Sequence, residues 1–165
     1  MQNQRPTADM IIEKLQLEIL LPEGGYFKST YRSEDKIITE YGLRAAGSTI
    51  YYLVTPQTFS KFHRLMSDEV YHFYLGDPLT LSLVDESGEC TEVVLGNDIM
   101  AGEIPQFVVP AHTWQGSRIK SIDYGFSLVG TTVTPGFVIE DFAMASREEL
   151  LELFPHLELQ IFALT

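Results

Sequence analysis

The chain has 165 residues, 45% hydrophobic, 12% aromatic and 21% charged, and carries a formal net charge of −12. That length predicts one domain over residues 1–165 with a core that needs no disulfide or metal, and the composition excludes a disordered chain. The charge excludes nucleic acid and anionic membrane as partners, because phosphate binding needs clustered Lys and Arg.

At the N-terminus, Thr7 is placed to cap a helix over about residues 7–20. Asp9 lies in its first turn, and Met10, Ile11, Leu15 and Ile19 recur at helical spacing. Pro22 is expected to stop this helix and Gly24-Gly25 to reverse the chain. The opening MQNQRPTADM lacks the apolar stretch of a signal peptide, and no apolar run reaches the length of a membrane span, so a cytoplasmic location is expected.

Strand signals follow. YFKSTYR (26–32), STIYYLV (48–54), VYHFYL (70–75), LTLSLV (79–84), TEVVL (91–95), QFVVP (106–110) and GFSLVGTTV (125–133) are β-branched or aromatic runs parted by turn residues. Close spacing without intervening helices predicts antiparallel hairpins in a sandwich or barrel. Ser146-Arg147-Glu148-Glu149 fits a capping box for a C-terminal helix over about 147–154. The tail HLELQIFAL alternates in part, and both a last strand and a docked extension stay open. The single cysteine, Cys90, has no Lys, Arg or His beside it and is read as inert.

The chemistry concentrates in FHRLMSDEVYHFYLGDPL (62–79). On strands, His63 and Leu65 share one face, and Glu69, Tyr71, Phe73 and Leu75 share another, while Val70, His72 and Tyr74 point outward. If the His63 face is interior, the barrel encloses an imidazole, a carboxylate and a tyrosine among apolar walls, the composition of a small-molecule pocket. His63 then serves as base or hydrogen-bonding group, Glu69 as its orienting partner or a second acid/base, and Tyr71 or Tyr52 as proton donor. Arg32 and Arg44 are either anion contacts at the mouth or ordinary surface residues, and Trp114 either lines the pocket or caps the core. Ser127 and Thr131 are read as hydroxyls satisfied within a strand. Gly24-Gly25 lacks any phosphate-cradle context.

The spacing of His63, Glu69 and Gly76 resembles the first motif of the cupin superfamily, in which two histidines and a glutamate converge. The second histidine would stand at Leu65. PAHTWQ (110–115) resembles the second motif, P-x-G-x-x-H, with His112 at the glycine and Gln115 at the last ligand. PEGGYFKSTYRSE (22–34), LGND (95–98), GEIPQFVVP (102–110) and GFSLVGTTVTPGF (125–137) extend the resemblance to a family of uncharacterised cupins over nearly the whole chain. The resemblance implies a mainly β fold, a double-stranded β-helix or jelly-roll barrel with short N- and C-terminal helices, and a homodimer. Fold analogy to sugar-nucleotide epimerases implies a sugar derivative or nucleotide as ligand and an epimerase- or isomerase-like reaction. No cofactor is expected on the first reading. A second gives His63, Glu69 and Gln115 a weakly held divalent transition metal, and a third is a non-catalytic binding module.

Overall fold

A computed structural model describes residues 5–165. Alternating apolar and polar residues build two antiparallel sheets whose inner faces meet in the jelly-roll arrangement. The larger sheet has six strands: β1 (Glu18–Ile19), β2 (Tyr26–Arg32), β5 (Ser48–Val54), β12 (Ser127–Thr134), β7 (Asp68–Gly76) and β10 (Gln106–Val109), neighbours in that order. The smaller has five: β13 (Phe142–Met144), β6 (Ser60–Leu65), β11 (Trp114–Ile119), β8 (Leu79–Val84) and β9 (Cys90–Leu95). A separate hairpin joins β3 (Lys36–Thr39) to β4 (Gly42–Ala45).

Tyr52, Val54, Tyr71, Phe73, Leu79, Leu81, Leu83 and Val129 form the core between the sheets. All six residues of β8 are buried, which a sheet exposed on one face does not permit. The explanation lies on its outer side, where α2 (Arg147–Leu153), α3 (Glu158–Ala163) and the residues flanking α3 pack Leu150, Leu157, Ile161 and Leu164 against Phe62, Val84 and Trp114. The Ser146–Glu149 capping box starts α2 as expected. The open tail resolves into a 3-10 turn, Pro155–Leu157, followed by α3. Leu157, Ile161 and Leu164 are the buried positions, and their helical spacing outweighs the partial alternation.

The N-terminal helix is shorter than expected. α1 spans Ala8–Leu15, capped by the Thr7 hydroxyl, and ends where Gln16 turns left-handed at φ 56° with its N–H on the Ile12 and Glu13 carbonyls. This turn drives Leu17 into a cluster with Leu53, Phe126 and Leu128, and Ile19 sits on an exposed strand instead of a helix face. The β3–β4 hairpin escapes a strand reading because most of it is exposed and only Ala45 is buried. No helix among the described residues is long and apolar enough to cross a membrane.

Candidate active site

Period-two alternation places the central groups. On β6, Phe62 turns outward under the C-terminal helices, while His63 and Leu65 face inward. On β7, Glu69, Tyr71 and Phe73 are buried, and Val70, His72 and Tyr74 face out. His72 bonds Thr132 and Gln106 on that outer face, at 3.3 and 3.2 Å. Gln115 of β11 stands opposite His63 in register, and its Nε2 donates to Glu69 Oε2 at 2.7 Å, tying the two sheets together.

Beside these groups lies a cavity of about 270 Å³. Leu20, Phe27, Ile50, Leu65, Val133, Phe137 and Phe142 give it apolar walls, and Glu23, His63, Glu69 and Thr131 give it polar ones. His63 is 2% exposed and stacks on Phe142 at 5.2 Å between ring centroids. Its Nδ1 lies 2.8 Å from the Lys61 carbonyl. A carbonyl only accepts, so Nδ1 carries the proton and Nε2 of the neutral ring keeps its lone pair.

Glu23 is a site residue that the sequence shows only within the block PEGGYFKSTYRSE. Its Oε1 accepts from the Ser60 hydroxyl at 2.6 Å and lies 4.0 Å from His63 Nδ1. The loop carrying it is pinned: Lys61 N–H donates to the Glu23 carbonyl, Tyr52 O–H donates to the Gly24 carbonyl, and Gly24 N–H reaches the Leu20 carbonyl. Gly24 adopts φ +112°, a conformation side chains resist, so the glycine signal marks the turn that brings the carboxylate in.

Burial pushes the Glu69 carboxyl above its ordinary value, and the negative charge of Glu23 adds to this, while His63, Thr131 and Gln115 pull it back. Thr131 therefore does more than satisfy its own strand. Burial also holds Tyr52 and Tyr71 well above the usual phenol value, so both keep their protons. The two tyrosines lie in the core between the sheets, and the Tyr52 hydroxyl is spent on Gly24.

A family model described as Cupin superfamily (DUF985) matches residues 9–145. The chain belongs to this cupin family. An uncharacterised protein of Saccharomyces cerevisiae is 32% identical to this cupin over 145 residues, covering 79% of this chain and 71% of the yeast protein. Among solved structures, a hypothetical protein from Leishmania major superposes with a TM-score of 0.91 at 36% identity, covering 97% of this chain and 99% of the other. A Shewanella oneidensis protein gives 0.89 at 40% identity, with 97% and 98% covered. Oxalate decarboxylase of Bacillus subtilis shares the fold, with a TM-score of 0.57 at 12% identity over 92% of this chain and 37% of the enzyme.

Many cupins hold a metal, and the donor set of this cupin is reduced to His63, Glu69 and Gln115. Leu65 fills the place of the second imidazole. Gln115 donates its amide nitrogen to Glu69, and its Oε1, the amide atom with a lone pair a metal could use, is buried without a hydrogen-bond partner. Among the described residues no group of three or more His, Cys, Asp or Glu side chains is placed to hold a metal ion.

The remaining candidates of the sequence reading disperse around this cupin. Arg32 lines the exposed side of the cavity and donates from Nη1 to the Phe137 carbonyl at 2.8 Å. Arg44 is not at that mouth: it meets Asp141 through two hydrogen bonds of 2.7 Å each, its charge already answered by a carboxylate. Trp114 lies on the outer face of β11 among the C-terminal helices, with the Arg64 guanidinium 4.5 Å above its ring, and so caps the core instead of lining the cavity. His112 holds φ 68°, so the backbone keeps the left-handed turn of the motif's glycine position, and its N–H donates to the Leu65 carbonyl at 2.7 Å. Cys90 is half-buried, with its thiol raised by burial, in keeping with an inert residue.

Proposed function

We propose that the cavity binds a small single-ring molecule, such as a sugar derivative, and that His63 and Glu69 move a proton on it in an epimerase- or isomerase-like reaction. The observation that carries this reading is the bare Nε2 of a buried imidazole beside a buried carboxyl of raised pKa, both lining one apolar-walled cavity. His63 Nε2 takes a proton from a carbon next to a carbonyl, and the electron pair passes onto the carbonyl oxygen. Glu69 in its protonated form returns a proton to the carbon. The tyrosines act from behind: Tyr52 fixes the loop of Glu23 and Tyr71 fills the core. A volume of about 270 Å³ lies just below the usual range for small-ligand pockets, so any nucleotide portion of a larger ligand stays outside, toward Arg32.

Solvent exchange tests this. In deuterated buffer, members of a panel of hexoses, aminohexoses and sugar phosphates should lose the proton next to the carbonyl when the protein is added, followed by proton nuclear magnetic resonance. His63→Ala should slow that exchange by about 10²–10⁴-fold. A panel member that binds in the cavity with no exchange would leave a binding module and remove the catalytic reading.

A further inference from the structure

We infer that the cavity selects a small organic cation, with an ammonium-type group held between Glu23 and Glu69, and rejects ligands that place a carboxylate or phosphate there. This rests on reading the cavity as a ligand pocket and adds the charge class of its occupant.

Two carboxylates, Glu23 and Glu69, line the cavity against one imidazole. With both carboxylates ionised and Arg32 counted, the lining is neutral when His63 is charged and carries one net negative charge when His63 is neutral. Arg32, the cationic side chain of the lining, is exposed and already gives a hydrogen bond to the Phe137 carbonyl. Glu69 is 6% exposed, its hydrogen bond comes from the neutral amide of Gln115, and His63 answers its charge only when protonated, so beside a neutral His63 it lacks a full opposite charge. A buried carboxylate without one is costly, and a bound cation supplies it. Phe27, Phe137 and Phe142 add aromatic faces, which favour cations over anions. His63 lines the same space with Nε2 free to accept from an ammonium N–H. The chain's charge of −12 steers cations toward the protein and anions away.

Titration of the full-length protein with n-butylammonium, n-butanol and n-butyrate, three probes of matched shape, tests the inference by backbone amide shifts. n-Butylammonium should move cavity residues such as Ile50, Thr131 and Phe142 and bind about tenfold or more tightly than n-butyrate, with n-butanol between. Glu23→Gln and Glu69→Gln, each confirmed folded by circular dichroism, should each remove most of that preference. Equal or tighter binding of n-butyrate in the cavity would overturn the charge class and leave the pocket reading standing. Ammonium shifts scattered over the acidic surface and unchanged in both variants would also overturn it. No cavity shift with any probe would defeat the pocket reading itself.

Discussion

Glu69→Gln should make the protein more stable at neutral pH while slowing proton exchange by about 10²–10⁴-fold. The stability gain follows from linkage. Burial and the nearby Glu23 charge raise the Glu69 pKa above its ordinary 4.5, so the folded chain holds that proton more tightly than the unfolded chain does. Between 4.5 and the raised value the folded state binds more protons, and stability therefore falls as pH rises through that window. Above it, the wild type bears the full penalty of a buried charge. Glutamine never ionises, and its carbonyl can still accept from Gln115 Nε2, the bond now joining the sheets at 2.7 Å. Thermal unfolding of both proteins across pH should thus show curves that coincide in acid and separate toward neutrality, the variant above. A variant below wild type at every pH would mean that the carboxylate stabilises the fold and that its burial serves structure, not chemistry.

Asp77→Ala should destabilise the fold by about 3 kcal/mol, because removing one buried acceptor strands several donors, each worth about 1–3 kcal/mol before the loop regains water. Asp77 is 1% exposed and follows Gly76 at the end of β7. Its carboxylate accepts from the backbone N–H groups of Asp123, Tyr124 and Gly125, at 2.7 to 3.1 Å, and from the Ser121 hydroxyl. Asp77 N–H in turn reaches the Phe126 carbonyl at 2.7 Å. This one side chain therefore fixes the loop that leads into β12, and β12 carries Thr131 to Glu69 across a register that pairs Thr131 with Tyr71. For a chain of this length the melting temperature should drop by about 6–12 °C. Asp77→Asn keeps one accepting oxygen and should lose roughly half as much. Equal losses for the two variants would show that charge, not the number of accepted bonds, anchors the loop.

How much of this was legible in the sequence depends on the range of the interactions. STIYYLV and LTLSLV coincide with β5 and β8, since apolar runs bounded by turn residues are a local signal. The capping box is equally local, and α2 begins where it says. The ordered motif blocks carried the family and the jelly roll, which the family model and the structural neighbours show. Glu23 stayed hidden because its meaning is long-range: the serine it binds stands 37 positions away, and a carboxylate between Pro22 and Gly24 looks like solvated turn chemistry. The role of Arg44 stayed open for the same reason. Its partner Asp141 is 97 positions distant, so a guanidinium that looked free for an anion is held by the protein's own carboxylate. Trp114 was settled by its neighbour: adjacent strand residues face opposite ways, so with Gln115 inward at the motif's ligand position Trp114 turns outward under the C-terminal helices.

The account turns on His63 Nε2 as a bare base facing a space a ligand can enter. Nitrogen-15 spectra of histidine-labelled protein read that directly. The neutral His63 ring should show a protonated Nδ1, bonded to the Lys61 carbonyl, and an unprotonated Nε2 whose resonance moves when n-butylammonium is added. A His63 ring protonated at Nε2 and bare at Nδ1, or an Nε2 resonance that no added probe displaces, would contradict it.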